Sequence, residues 1–316
     1  MKRLAVSFIL AFLAAFAPAR AEAPQTVQAH PALWHAHGDR GTVYLLGSVH
    51  VLPPNVDWQT SEIKRAIMRT DVFVFEVPLD ADTLNRITAL VGERGTLPPG
   101  QSLRKMLPPD SQADLDKVLA AVQLPETAVD NKRPWLVSFM LEAILLKKHM
   151  QQFTLGVDAV VDELAKKSAK QVRYLETVDQ QIALIAPSDP TVELQSFEAE
   201  LKSFETADSD IATITDAWEK GDTVALDAVS SKEFEGHPEA RAAFFTDRNR
   251  DWAKQIEAML HERKTFFITV GAGHLVGKEG VPALLRADGY KVGAVGQFLA
   301  RIEFRPSSIR ARQRWP

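Results

Sequence analysis

The sequence predicts an α/β protein with a central parallel or mixed sheet, built from both ends of the chain around a large helical insertion. Between about 110 and 260 most segments have the apolar period of helices. We expect one domain over residues 22–304, with the helical insertion at about 101–262. Short apolar runs typical of buried strands lie near the two ends of the chain, at 43–46, 72–77, 266–270 and 291–295.

The chain begins with the pattern of a secretory signal peptide. Lys2 and Arg3 precede an apolar stretch at 4–16, and the run 19–21 supplies the small residues of a cleavage site. We expect cleavage after Ala21 and a periplasmic or secreted mature protein. The sequence contains no cysteine, so a lipid anchor, disulfide bonds and thiolate metal ligands are excluded.

The first strand, at 43–46, leads to Gly47 and, three residues later, to His50. Glycine lets the backbone turn where a strand ends. His50 is therefore predicted in the loop at the carboxyl end of the strand, where open α/β sheets bind their ligands. A helix at about 61–68 and a strand at 72–77 complete a β-α-β unit.

Glu76 is an acid within a strand that is otherwise apolar. An unpaired carboxylate there would be costly, so a cation, a metal or a hydrogen-bond network must match it, or it stays protonated. Its role stays open between a catalytic group and a structural partner of Arg248. Glu176, which ends a predicted strand at 171–176, is either a further ligand or a helix-capping or loop acid.

Two helices of the insertion are informative. The apolar stretch at 135–146 is shorter than the roughly 20 residues that a bilayer span needs, so we predict a core helix and no transmembrane segment in the mature chain. On a helix at about 238–260, Arg248 shares a face with Trp252 and other apolar residues, so it should point inward, with Asn249 beside it. An inward guanidinium can orient an anionic or carbonyl group of a substrate.

The strand at 266–270 repeats the first pattern, because Gly271 and His274 follow it. If the two strands are neighbours, His50 and His274 converge, and two neutral imidazoles suggest a metal site. With Glu76 as carboxylate, this donor set is compatible with zinc, manganese, iron or cobalt. The other histidines that we consider are expected at the surface: His35, His37, His149, His237 and His261.

The charge balance excludes nucleic acid as an expected partner. The chain has 37 basic and 41 acidic residues, and removal of the signal peptide would change the net charge from −4 to −7. The arginines of the segment 305–316 form a basic tail that we predict to be flexible. The sequence has no Gly-x-Ser-x-Gly elbow, no His-Glu-x-x-His helix and no P-loop. It does not predict the oligomeric state.

Several of these segments, taken in order, resemble the TraB/PrgY/GumN family, which is related to the Tiki metalloproteases. The resemblance implies an α/β fold related to the erythromycin esterase and ChaN-like proteins. It further implies an active site of His50, His274 and Glu76, with Arg248 and Asn249 as supporting or substrate-binding groups. The segments that carry it are 44–53, 75–76, 156–158, 175–176 with Gln180, 248–249 with Trp252, and 270–275.

We therefore predict an exported, metal-dependent hydrolase, and specifically a peptidase acting on a peptide or protein substrate. A divalent metal held by His50 and His274 would polarise a carbonyl and lower the pKa of a bound water, with Glu76 as ligand or general base. The resemblance favours manganese or cobalt. The alternative is a haem- or metal-binding protein for uptake or sequestration, without turnover, as ChaN-like kinship suggests.

Overall fold

The computed structural model describes residues 26–78, 81–149, 154–204 and 206–295. The predicted signal peptide at 1–21 and the basic tail at 305–316 lie outside these ranges and stay predictions. Within them the strands are β1 (Val27–Gln28), β2 (Leu33–His37), β3 (Thr42–Ser48), β4 (Val51–Leu52), β5 (Val56–Asp57), β6 (Val72–Phe75), β7 (Thr154–Leu155), β8 (Gln171–Tyr174), β9 (Thr265–Gly271) and β10 (Lys291–Ala294).

The described strands form a six-stranded mixed sheet in the order β10-β2-β3-β9-β6-β8, together with two small two-stranded pairs, β1-β5 and β4-β7. Strands β3, β9, β6 and β8 run parallel, and β2 and β10 are antiparallel to their neighbours. The fold is thus α/β with a mixed sheet, as predicted. Ser48 pairs with Gly271, and Phe75 with Thr269, so the carboxyl ends of β3, β9 and β6 meet at one edge.

The α-helices in the described ranges are α1 (Ser61–Arg69), α2 (Ala81–Arg94), α3 (Leu103–Met106), α4 (Pro109–Val122), α5 (Pro134–His149), α6 (Val157–Ser168), α7 (Val178–Ile185), α8 (Pro190–Phe204), α9 (Ala207–Lys220), α10 (Thr223–Glu233), α11 (Pro238–Arg241), α12 (Asp247–Leu260) and α13 (Val281–Ala287). None of the helices in these ranges combines the length and apolarity that a membrane span requires.

Local signals explain where several helices begin. The Thr60 hydroxyl accepts a hydrogen bond from the backbone N–H of Ile63 at the start of α1. Thr177 and Gln180 form a capping box at the start of α7. Between α11 and α12, the residues Ala242–Thr246 form a turn of π-helix. Such turns are rare in proteins, and those that occur are often found at functional sites.

The main core lies on the central strands. The inner residues of β3 and β9 are fully buried, and the rings of Phe73 and Phe267 pack with centroids 6.1 Å apart. Helix α12 packs against β3, and α1 and α6 pack against β9. A second apolar cluster, which includes Leu115, Leu141 and Phe197, joins α4, α5 and α8 away from the sheet. Helices α4, α5 and α8 therefore have apolar packing of their own.

Candidate active site

His274 is held rigidly just beyond β9. A 3₁₀ turn over Ala272–Leu275 follows the strand and buries the imidazole, which is 5% exposed. The rings of Phe245 and Trp252 flank it, with centroids 4.8 and 4.4 Å away. The ring position is thus set by packing as well as by hydrogen bonds.

Hydrogen bonds define the tautomer of His274. Its Nδ1 lies 2.6 Å from Oδ1 of Asn249, whose Nδ2 donates to the Glu279 carbonyl at 2.9 Å. Because the Asn249 oxygen can only accept, Nδ1 carries the proton and Nε2 keeps its lone pair. Burial, aided by the charge of Arg248, holds the pKa of His274 well below its usual value, so the imidazole is neutral.

Arg248 is the centre of the network. Its Nη1 lies 3.1 Å from Nε2 of His274 and can donate to that lone pair. Its Nη2 pairs with Glu76 at 2.8 Å, and its Nε pairs with Glu176 at 2.6 Å. The guanidinium also stacks over Trp252, 4.7 Å from the ring centroid. The inward orientation predicted for Arg248 is confirmed.

Glu76 has a partner on each oxygen. Oε2 accepts from Arg248, and Oε1 accepts from the backbone N–H of Gly271 at 2.7 Å. The Gly271 bond crosses from the end of β6 to the end of β9, so it also links two neighbouring strands. The acid in the apolar strand is therefore matched by a cation and a hydrogen bond, one of the predicted arrangements.

The helix-capping alternative for Glu176 is wrong. Thr177 caps α7, whereas the Glu176 carboxylate is buried and accepts from Arg248 and, at 3.0 Å, from Nε1 of Trp252. Glu76 and Glu176 share Nη2 of Arg248, which lies 2.8 Å from Oε2 of Glu76 and 3.2 Å from Oε2 of Glu176. One arginine neutralises two carboxylates that come from the ends of β6 and β8.

His50 follows β3 and lies at an open part of the site. Its side chain is 77% exposed to water, and Nδ1 lies 3.3 Å from Oδ2 of Asp158 in the first turn of α6. This hydrogen bond raises the pKa of His50, although partial burial of the ring acts to lower it. The sequence pattern alone does not single out Asp158 as a functional residue, although the segment 156–158 contributes to the family resemblance.

Backbone packing positions the His50 loop. Val157 N–H donates to the Val49 carbonyl at 3.0 Å. A Cβ added at Gly156 would lie 2.0 Å from that carbonyl oxygen and 2.6 Å from the Cα of His50. Only glycine allows the start of α6 to approach this closely. The position of the imidazole therefore depends on a residue more than 100 positions away in sequence.

One cavity of about 740 Å³ joins these groups, since His50, Glu76, Arg248 and His274 all line it. Asn249 lies behind His274 and belongs to the same hydrogen-bond network. His50 is not hydrogen-bonded to that network, although the charge of Glu76 acts on it. Within the described ranges, no three His, Asp or Glu side chains are arranged to hold a metal ion.

Two of the other histidines are not at the surface as expected. His35 is 8% exposed because β10 covers it, and its Nδ1 lies 3.1 Å from the Gly293 carbonyl oxygen. His237 is 5% exposed and lies 3.3 Å from Nζ of Lys202. His37 and His261 are exposed, as expected. The side chain of His149 lies outside the described residues.

Comparison with known proteins gives one family and several distant relatives. The model of the TraB/PrgY/gumN family matches residues 32–294. Metalloprotease TIKI1 of Danio rerio is 23% identical over 302 residues, which cover 79% of this chain and 60% of the relative. Metalloprotease TIKI1 of Homo sapiens is 23% identical over 323 residues, which cover 85% and 63%.

Metalloprotease TIKI2 of Danio rerio is 24% identical over 301 residues, 79% of this chain and 57% of the relative. The chain thus spans about three fifths of the length of the curated relatives that it matches. No solved structure matches it.

Proposed function

Because the chain belongs to the TraB/PrgY/gumN family, and its curated relatives are metalloproteases, we propose that it is a metal-dependent hydrolase that cleaves peptide bonds. We further propose that it acts after export, in the periplasm or outside the cell, as the predicted signal peptide implies. We also propose, as the family resemblance implies, that the fold is related to that of the erythromycin esterase and ChaN-like proteins.

One observation carries the assignment of the metal ligands. The Nδ1 atoms of both histidines face an oxygen acceptor, Asp158 for His50 and Asn249 for His274. Histidines that bind metals almost always donate their other ring N–H to a carboxylate or carbonyl, which fixes the tautomer and orients the ring. In both residues this leaves Nε2 as the atom available to a metal.

The donor chemistry fits a divalent metal. His50, His274 and Glu76 offer two nitrogens and a carboxylate, a set that suits manganese, cobalt, zinc or iron. Binding at His274 requires Nη1 of Arg248 to leave Nε2. Because the guanidinium is planar and rigid, its pairs with Glu76 and Glu176 must shift with it. When bound, the metal would act as a Lewis acid and lower the pKa of a water.

The chain's own groups supply the remaining steps. If Glu76 is not itself a metal ligand, it would accept the proton of the attacking water as general base, since it lines the cavity and its carboxylate is held by Gly271 and Arg248. Arg248 has its guanidinium at the same cavity and would orient the substrate carbonyl or the negative charge that develops on it. Asn249 would keep His274 in the required tautomer.

The deciding experiment combines activity with metal content. Purified protein is incubated with a peptide library and manganese, cobalt or zinc, with a chelated sample as control. We expect metal-dependent cleavage, and we expect His50→Ala and His274→Ala to lose metal and activity together. His261→Ala serves as the matched control, since His261 is exposed and bonds Asp39.

Two results would overturn the proposal. Equal metal content in the wild type and in both variants would remove the histidines as ligands. A Soret band on addition of haem, together with no cleavage of any peptide, would establish the alternative of uptake or sequestration without turnover.

A further inference from the structure

The cavity extends well beyond the histidines, along one face of α5. Trp135, Ser138, Phe139 and Glu142 all line it, at spacings of three, four and seven residues that place them on the same side of the helix. Gln181 of α7 also lines the cavity. This face of α5 is therefore turned toward the cavity, and it carries polar as well as apolar groups.

Two buried polar atoms of this wall have no hydrogen-bond partner among the described residues. They are Nε1 of Trp135, whose side chain is 3% exposed, and Oε1 of Gln181. Buried donors and acceptors are nearly always paired, because an unpaired group loses its hydrogen bonds to water without replacement. The indole N–H can only donate and the Gln181 oxygen can only accept, as a peptide C=O and N–H require.

The same helix face carries an acid, Glu142, for which no salt bridge is found among the described residues. Glu76 and Glu193 also line the cavity, but they are paired with Arg248 and Arg133. No salt bridge joins Glu142 to a basic side chain in the part of the chain that the structure describes, and the charge acting on it is that of His50. Desolvation by the surrounding protein raises the pKa of Glu142, because it disfavours the charged form. A cation in the cavity would stabilise this carboxylate.

We propose that this face of α5 is a substrate subsite, in which Glu142 binds a cationic group of a peptide while Trp135 and Gln181 hydrogen-bond a peptide group. The cation is a lysine or arginine side chain or a free α-amino group. The inference rests on the proposed function only in taking a peptide as the ligand. It gives that function a substrate class, peptides with positive charge close to the cleaved bond.

Binding without turnover tests the subsite. In the presence of a chelator, calorimetry compares four peptides of equal length, with lysine or norleucine at one position and a free or acetylated amino terminus. We expect a positive charge to strengthen binding by about 10–100-fold, the usual effect of a hydrogen bond to a charged group. The lysine pair and the amino-terminal pair show which cation is bound.

Variants assign the effect to residues. Glu142→Gln should remove the preference for charge and leave the affinity for the uncharged peptide within about twofold, and Glu142→Lys should reverse it in favour of a glutamate peptide. Trp135→Phe should weaken all peptides by about 2–10-fold, since it removes one neutral hydrogen bond. Glu163→Gln is the matched control, an exposed glutamate paired with Lys167.

Equal affinities for charged and uncharged peptides in the wild type would overturn the inference. A preference that survives both Glu142 variants, once their folding is verified by thermal unfolding, would also overturn it. The proposed function fails separately. Binding with charge preference but no cleavage under any metal would refute the peptidase and retain the subsite, while cleavage without charge preference would do the reverse.

Discussion

Nη2 of Arg248 lies 2.8 Å from Oε2 of Glu76, so the acid at the end of β6 and the arginine of α12 form an ion pair inside the cavity wall. The pair gives Glu76 a structural partner without removing it from the site, because the carboxylate still lines the cavity. Chemistry and stability at Glu76 must therefore be separated by measurement.

Glu76→Gln separates them. The amide keeps nearly the same shape but cannot take a proton, so we expect turnover to fall by roughly 10²–10⁴-fold, the usual contribution of a general base. Metal content should be retained if Glu76 is the base and lost if it is a ligand. Cleavage assays and metal analysis on the same sample measure turnover and metal content. A folded Glu76→Gln protein with unchanged turnover would end the catalytic assignment.

Arg248→Met should be the most destabilising single change in the network. It leaves Glu76 and Glu176 without their cation, and breaking a buried ion pair costs about 3–5 kcal/mol. Urea unfolding in the presence of chelator measures the loss. Arg173→Met is the matched control, because its pair with Glu262 is partly exposed and should cost about 1 kcal/mol or less. Equal losses would mean that the Arg248 pairs contribute no more than a surface ion pair.

His237 should make stability depend on pH. Burial, together with nearby Lys202, lowers the pKa of His237 below 6.5, since protonation would place two cations 3.3 Å apart. The unfolded chain then binds a proton that the folded protein does not, so stability is lost as pH falls below about 6.5, by up to about 1.4 kcal/mol per pH unit. Urea unfolding between pH 7 and 5 should show a smaller loss in His237→Gln.

Lys202→Met supplies the second arm of that measurement. Without the ammonium group, the folded protein should accept the proton more readily, and the loss of stability at low pH should shrink. An identical pH dependence in the wild type and both variants would contradict the role of His237.

The α/β class of the fold and several residues that line the cavity could be predicted from the sequence because the signals are local. Apolar runs locate the central strands, and a glycine with a histidine three residues later marks the end of two of them. Helical period predicts that Arg248 points inward, since it shares a face with Trp252. These patterns lie within a few residues of one another, where spacing determines geometry.

The remaining groups depend on contacts that spacing does not reveal. Asp158 meets His50 across 108 positions, and the burial of His35 depends on β10, which is contributed by the other end of the chain. A hairpin next to Gly38 and Asp39 predicts a solvent-facing His35, and polar neighbours predict a surface His237, but tertiary coverage decides burial. The cavity face of α5 reads from the sequence as core, because a helix facing a cavity and one facing a core have similar apolar periods.

Gly156→Ala tests how the His50 loop is positioned. The added Cβ would approach the Val49 carbonyl oxygen to 2.0 Å, so the loop or α6 must move. We expect a loss of stability of about 1–3 kcal/mol, as overpacking usually causes, and a matching loss of metal affinity. Gly92→Ala, where nothing lies within 4 Å of the added atom, should be neutral or stabilising. Unchanged metal affinity in Gly156→Ala would show that the loop tolerates displacement.

Asp158→Asn tests whether the acid behind His50 serves the metal. The asparagine oxygen can still accept from Nδ1, but without the negative charge the imidazole is a weaker ligand, so metal affinity should fall by about 10–100-fold. Competition with a coloured chelator measures the affinity. Thermal unfolding of the metal-free protein should change little, because the His50 side chain is 77% exposed and solvent screens the pair. Asp162→Asn, on the same helix and paired with Lys166, is the matched control and should leave metal affinity unchanged. If Asp158→Asn binds metal as tightly as the wild type does, the hydrogen bond to His50 is structural, and His50 loses its main support as a ligand.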